Sequence, residues 1–259
     1  PDGSKLSKRH GATSVAEYAD MGYLPEAMRN YLLRLGWSHG DEEIISTQNA
    51  IEWFDLEHVQ KSPARFDFAK LESINAHYIK EADNARLVDL AVPFIEKKGL
   101  AVDETGRKRL LAGMDELKSR AKTLIQIADE GAFYCRMAPN IPDDDTVITI
   151  PDKIPYPFDD KAWANLDPQI LPLLKEKLDA LTEFTAANIE IACKDIANQN
   201  TEGKLGKVAM PLRAALTGTT VSPSIFHAAE ILEKHEVLKR LKYSMLSLRM
   251  SQEMYQEKK

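Results

Sequence analysis

The chain has 259 residues, of which 44% are hydrophobic and 29% charged, with a formal net charge of −6. This is ordinary globular composition with room for one large domain or two to three small ones. It excludes an indiscriminate nucleic-acid coat, while the absence of an 18-residue apolar run and of an apolar N-terminal core argues against a spanning helix or a signal peptide.

The chain starts on a cationic loop, Lys5-Leu6-Ser7-Lys8-Arg9-His10-Gly11, bracketed by Gly3 and Gly11. Ammonium groups at i and i+3, with a hydroxyl and backbone N–H groups, can spread the charge that builds on a phosphoryl group. Ser14 and Glu17 form a capping-box pattern, and Pro25 sits where a first helical residue belongs. Ala27, Met28, Tyr31, Leu32 and Leu35 recur at helical spacing until Gly36. A capped start at Ser46 and Thr47 leads into Ile51, Trp53, Phe54 and Leu56. His10 and His39 lack partners at metal spacing and are read as structural or solvated.

The turn Ser62-Pro63-Ala64-Arg65-Phe66-Asp67 caps a helix whose apolar side holds Phe68, Leu71, Ile74 and Ile79, with Phe66, Leu71 and Ile79 expected in the core. Asn75 and His77 could cap, bridge or touch a ligand. Asp83 caps the next helix, in which Pro93 implies a kink or break and which Gly99 ends. A longer helical stretch is expected from Asp103 toward Asp129, with Leu110, Leu111, Met114, Leu117, Ala121, Leu124, Ile125 and Ala128 inward. Its Arg107, Lys108, Arg109, Lys118, Arg120 and Lys122 are expected to face out.

Composition shifts between Arg136 and Asp160, where five of the thirteen prolines and the run Asp143-Asp144-Asp145 suggest an ordered connection or linker. Val147-Ile148-Thr149-Ile150 is its only plausible strand. Cys135 and Cys193 are too few and too far apart for zinc or a disulfide framework. They are expected to be buried residues of a cytoplasmic protein, and no metal site is expected.

Helical patterning resumes at Ala162, with Ile170, Leu171, Leu174 and Leu178 as its apolar stripe. From Asn200 to Lys259 ten Lys and Arg stand against six Glu, so this stretch can hold a polyanion although the whole chain is acidic. In Lys204-Leu205-Gly206-Lys207-Val208-Ala209-Met210-Pro211-Leu212-Arg213, a basic Gly-containing loop leads to Pro211, read as a helix start, and Gly218 reads as the stop.

Three of these stretches resemble the glutamyl-tRNA synthetases of class I, in their bacterial form. The first heptapeptide is similar to the family's lysine-serine-lysine loop. Phe66-Asp67, Lys70-Leu71, Asn75 and Tyr78-Ile79 resemble its stem-contact segment, and Lys204 to Gly218 resembles its anticodon-domain signature. The family usually has glycine before the proline of Ser222-Pro223 and again near Lys234-His235; neither is present here.

The resemblance implies a mostly α fold with little or no sheet, as helical bundle regions in series: a loop and stem-contact region (1–80), a helical tRNA-binding subdomain with a Pro-rich connection (81–160) and an anticodon-binding domain (161–259). It implies a parent ligase that activates L-glutamate with ATP and Mg²⁺ and transfers it to tRNA(Glu). Lys5 and Lys8 would meet ATP phosphates, Ser7 would hold the loop, and Arg9 would join the ATP site. The catalytic fold would precede this stretch, so the segment alone is expected to be monomeric, to bind no cofactor and to make no glutamyl-adenylate. Lys204, Lys207, Arg213, Lys239 and Arg240 are expected to supply the electrostatic attraction for tRNA, with Arg213 alternatively an internal arginine. A helical protein-interaction module, or a relative that glutamylates tRNA(Gln), are the competing readings.

Overall fold

A computed structural model describes residues 14–61, 63–139, 141 and 158–256. Among them are twelve α-helices and no strand: α1 (Glu17–Asp20), α2 (Pro25–Gly36), α3 (Thr47–Trp53), α4 (Phe68–Glu81), α5 (Asn84–Glu96), α6 (Glu104–Arg120), α7 (Leu124–Gly131), α8 (Asp160–Asn165), α9 (Ile170–Asp179), α10 (Ala186–Asn200), α11 (Gly206–Thr217) and α12 (Ile225–Gln256). A 3₁₀ turn, Ala132–Cys135, follows α7. The expected strand at Val147–Ile150 and the aspartate run lie outside the described residues. The mostly α expectation is met. The chain divides into two compact units, Pro1–Gly99 with Met114–Asp129, and Leu100–Gly113 with Glu130–Lys259.

In the first unit, local chemistry places the helix starts. Pro25 is at the first turn of α2, and Ser46, Asp67 and Asp83 accept from the first-turn N–H groups of α3, α4 and α5. The Ser14–Glu17 box forms only its carboxylate half, Glu17 accepting from the Ser14 N–H at 3.1 Å. Its core includes Leu24, Met28, Tyr31, Leu71, Ile74, Ile79, Leu87 and Ile95. Leu32 and Phe68 are instead exposed, and Phe66 is half-buried among the rings of Tyr18, Tyr31 and Phe68. α5 runs through Pro93 to Glu96.

Asn75 is fully buried, accepts from the Leu24 N–H at 2.8 Å and donates to the Lys122 carbonyl at 2.5 Å. It is therefore a bridge. The carbonyl it engages lies where the expected 103–129 helical stretch is interrupted, and Thr123 starts α7 by accepting from the Gln126 N–H. Gly22, at φ +83°, is required beside this break, because a Cβ there would stand 2.9 Å from the Ile125 nitrogen.

In the second unit, α9, α10 and α11 pack around α12. Their core includes Leu171, Leu174, Leu178, Ile189, Cys193, Ile196, Leu212, Leu216, Leu232 and Leu241. Burial pushes the thiols of Cys135 and Cys193 up to about 12, which leaves both unreactive. Arg109 corrects the expectation of an outward charge: it is buried and donates to the Leu232 carbonyl at 3.1 Å. That carbonyl is available because α12 is broken at Glu233, where φ is +68° and ψ +153°. Lys234 steadies the same break by donating to the Leu181 carbonyl at 3.0 Å and to that of Asp179.

The backbone at Glu233 lies in a region that is essentially reserved for glycine. The missing glycine noted in the sequence thus has a structural counterpart one residue before Lys234. Glu233→Gly should raise unfolding stability by about 1 kcal/mol, and Glu233→Ala should give no such gain. Urea unfolding of the two variants checks this; equal midpoints would mean that the position is unstrained.

Candidate nucleic-acid interface

Among the described residues, the Lys204–Arg213 stretch supplies the most exposed of the predicted cations. α10 ends at Asn200, and Glu202 (φ +54°) with Gly203 (φ +74°) reverses the chain. The Thr201 and Gly203 N–H groups both bond the Ala197 carbonyl, at 2.9 and 3.0 Å, and the Thr201 hydroxyl lies within reach of the Ala197 and Lys204 carbonyls. This compact turn presents Lys204 and Lys207 to solvent. Lys204 pairs with Glu202 at 2.6 Å, an exposed contact of small net value. The Lys207 ammonium has no partner among the described residues.

α11 begins at Gly206, so Pro211 is inside the helix rather than at its start. The ring deprives the Lys207 carbonyl of its intrahelical donor, a loss tolerated here because Lys207 is solvent-exposed. The first-turn N–H groups of Lys207 and Val208 already bond the carbonyls of Lys204 and Leu205, at 2.9 and 3.0 Å. Attraction for an anion therefore rests on the lysine side chains more than on free backbone donors.

Beside the turn lies an open cleft of about 690 Å³. Asn165, Asp167, Gln169, Asn200, Thr201 and Lys207 are among its lining residues. Asp167 accepts from the N–H groups of Gln169 and Ile170, at 2.8 and 3.1 Å, and so fixes the start of α9 along the cleft. The sequence offered only a weak sign of this polar wall, an Asp three residues before a helical stripe. The wall is assembled from two segments that are distant in the chain.

The remaining predicted cations are placed differently. Arg213 is half-buried and donates to the carbonyls of Ser222 and Pro223, at 3.1 and 2.9 Å, and to the Ser222 hydroxyl. This matches the alternative of an internal arginine that ties a loop to α11. Arg240 is a correction. It is fully buried and pairs with Glu236 at 2.7 Å. It also donates to the carbonyls of Leu216 (2.5 Å), Phe133 (3.0 Å) and Arg136 (2.5 Å), so it cannot reach a phosphate without leaving its partners. Lys239 is half-buried on α12. Arg240 meets the far end of α11, roughly 15 Å along the helix from Gly206, so the structure does not bring residues 239 and 240 to the Lys204–Lys207 turn.

Lys5, Ser7, Lys8, Arg9 and His10 lie outside the described residues. His39 stacks on Trp53, with ring centroids 4.5 Å apart. His77 is exposed and packs edge-on to the Tyr78 ring. Among the described residues no three His, Cys, Asp or Glu side chains come together as a metal site, and no helix is long and apolar enough to cross a membrane.

Residues 86–245 match the anticodon binding domain family, and residues 1–73 match the catalytic domain of class I tRNA synthetases (E and Q). The chain is 50% identical over 245 residues to glutamate–tRNA ligase 2 of Rhodospirillum centenum, covering 93% of this chain and 49% of that protein. It is also 50% identical over 247 residues to glutamate–tRNA ligase 1 of Sphingopyxis alaskensis, covering 93% of this chain and 47% of that protein. The crystal structure of a glutamate tRNA ligase from Elizabethkingia meningosepticum, in complex with its amino acid, superposes with a TM-score of 0.72 at 27% identity, over 96% of this chain and 49% of that one. The chain spans about half the length of the curated relatives it matches.

Removing the Arg240 side chain should leave three carbonyls and the Glu236 charge without their main partner. Arg240→Ala is expected to cost about 3–5 kcal/mol, against less than about 0.5 kcal/mol for Lys239→Ala. Chemical unfolding monitored by circular dichroism separates the two outcomes. Equal small losses would mean that Arg240 is not an internal clamp.

Proposed function

The chain belongs to the anticodon binding domain family, and from that membership we propose that it is the tRNA-recognising part of a glutamate–tRNA ligase. The carrying observation is the Lys204–Lys207 turn, rigidly built, exposed, and set beside a polar cleft inside the matched 86–245 region. Lys207 attracts backbone phosphate, and Lys204 exchanges its weak Glu202 contact for a second one. Bases splayed from an anticodon loop meet the amide and carboxylate side chains of Asn165, Asp167, Gln169 and Asn200, which can bond Watson–Crick edges. Lys239 adds charge at a separate place on α12, while Arg213 and Arg240 hold the scaffold.

The parent reaction in this proposal is ATP-driven activation of L-glutamate followed by transfer to tRNA(Glu). The match of residues 1–73 to the class I catalytic family supports giving Lys5, Ser7, Lys8 and Arg9 the ATP phosphates, with Mg²⁺ as the accompanying cation. We take the protein to be monomeric and cytoplasmic.

Filter binding with tRNA(Glu) and an unrelated tRNA, over a range of salt, tests the tRNA assignment. The parent chain should prefer tRNA(Glu). The double variant Lys204→Ala, Lys207→Ala should bind about tenfold more weakly, with a log–log salt slope smaller by roughly 1.5. Unchanged affinity and slope would remove the turn from the interface, and equal binding of both tRNAs would favour a module without tRNA recognition.

A further inference from the structure

Arg34, near the C-terminal end of α2, carries a buried Nε and Nη1 that meet no acceptor among the described residues. A guanidinium stays charged in proteins, and burying its donors without an acceptor is costly. Orphaned donors of this kind call for a further acceptor, since the Glu43 carboxylate acts on Arg34 electrostatically but does not bond these two atoms. The side chain lines a pocket of about 230 Å³, together with Tyr31, Ala64, Arg65, Asp67 and Lys70.

The rest of the pocket suits an anion. Arg65 is exposed, and its guanidinium has no partner among the described residues. Lys70 adds a third cation; its Nζ is 2.9 Å from Glu43 Oε1 in an exposed pair that can open at little cost. Of the two acids near these cations, Glu43 is the exposed partner of Lys70 and lies within electrostatic reach of Arg34, and Asp67 is already engaged, accepting from the N–H groups of Ala69 and Lys70, at 2.9 and 3.2 Å, as the cap of α4. The Tyr31 hydroxyl accepts from the Asp67 N–H at 2.5 Å, which leaves its own hydrogen for a further acceptor. Two guanidinium forks, an ammonium and a phenol around one small space form a donor set for a tetrahedral oxyanion.

We propose that this pocket seats one phosphate group, either a backbone phosphodiester of bound RNA or free phosphate. It is separate from the Lys204–Lys207 turn, and its first test requires no tRNA. Isothermal titration of the chain with inorganic phosphate, at ionic strength held constant with sodium chloride, should show one saturable site. Arg65→Gln, an exposed change that leaves the core intact, and Arg34→Gln should each weaken it at least tenfold, with folding checked by circular dichroism. A tRNA titration then identifies the source. If Arg65→Gln also weakens tRNA binding at least threefold and lowers the salt slope by about one, the seat holds an RNA phosphodiester. If only inorganic phosphate binding falls, the ligand is free phosphate. Absence of saturable phosphate binding to the parent chain, or binding that Arg65→Gln leaves unchanged, overturns the proposal whatever tRNA does.

Discussion

The second unit depends on one buried ion pair, Glu236 with Arg240, one helical turn apart on α12. Their side chains are 3% and 0% exposed. Such a pair survives burial only when its remaining donors are satisfied. Arg240 meets that condition by reaching the Phe133 and Arg136 carbonyls at the 3₁₀ turn and the Leu216 carbonyl near the end of α11. Helix ends leave such carbonyls short of intrahelical partners, the Phe133 oxygen accepting in addition a long bond from the Arg136 N–H, at 3.3 Å. Glu236 also accepts from the Ala138 N–H at 2.9 Å through the same oxygen that meets Arg240, while its Oε2 is buried without a partner among the described residues. One pair therefore joins the 133–138 segment, α11 and α12. Arg109 does similar work at the Leu232 carbonyl, where Glu233 interrupts α12. The fixed position of α11 in turn sets where the Lys204–Lys207 turn stands.

Much of the helical order is legible in the sequence because caps are local chemistry. Ser46, Asp67, Asp83 and Pro25 act within three or four residues of themselves, and each helix starts where its cap stands. The gap between α6 and α7 is not local in this sense. It is held by Asn75, whose amide comes from another helix; the one local sign, Thr123 and Gln126 capping the start of α7, is masked by apolar spacing that runs on across it. The burial of Arg109 and Arg240 is hidden for the same reason: the Leu232 carbonyl that Arg109 meets, and the Phe133 and Arg136 carbonyls that Arg240 meets, lie more than a hundred positions away, so both read as ordinary surface charge. Pro211 misled in the opposite direction. Its preference for a first turn is real, but α11 starts five residues earlier, where an open surface tolerates the lost bond.

The candidate site divides along the same line. Its exposed lysines follow from the basic, Gly-containing loop. Its polar cleft does not, because the Asn165–Gln169 wall meets the Asn200–Lys207 turn only after folding. The predicted cations then sort by the cost of moving them. Lys204 and Lys207 can turn to a polyanion at little expense, whereas Arg240 would abandon four acceptors. Recognition rests on the first kind and architecture on the second.

The most direct test of this division is lysine acylation of the chain, read by mass spectrometry, with and without tRNA(Glu) at low and high salt. Lys204 and Lys207 should lose reactivity when tRNA is bound and regain it at high salt, while exposed Lys108 stays unchanged. Equal labelling of Lys204 and Lys207 with and without tRNA, with protection confined to other lysines, would contradict it.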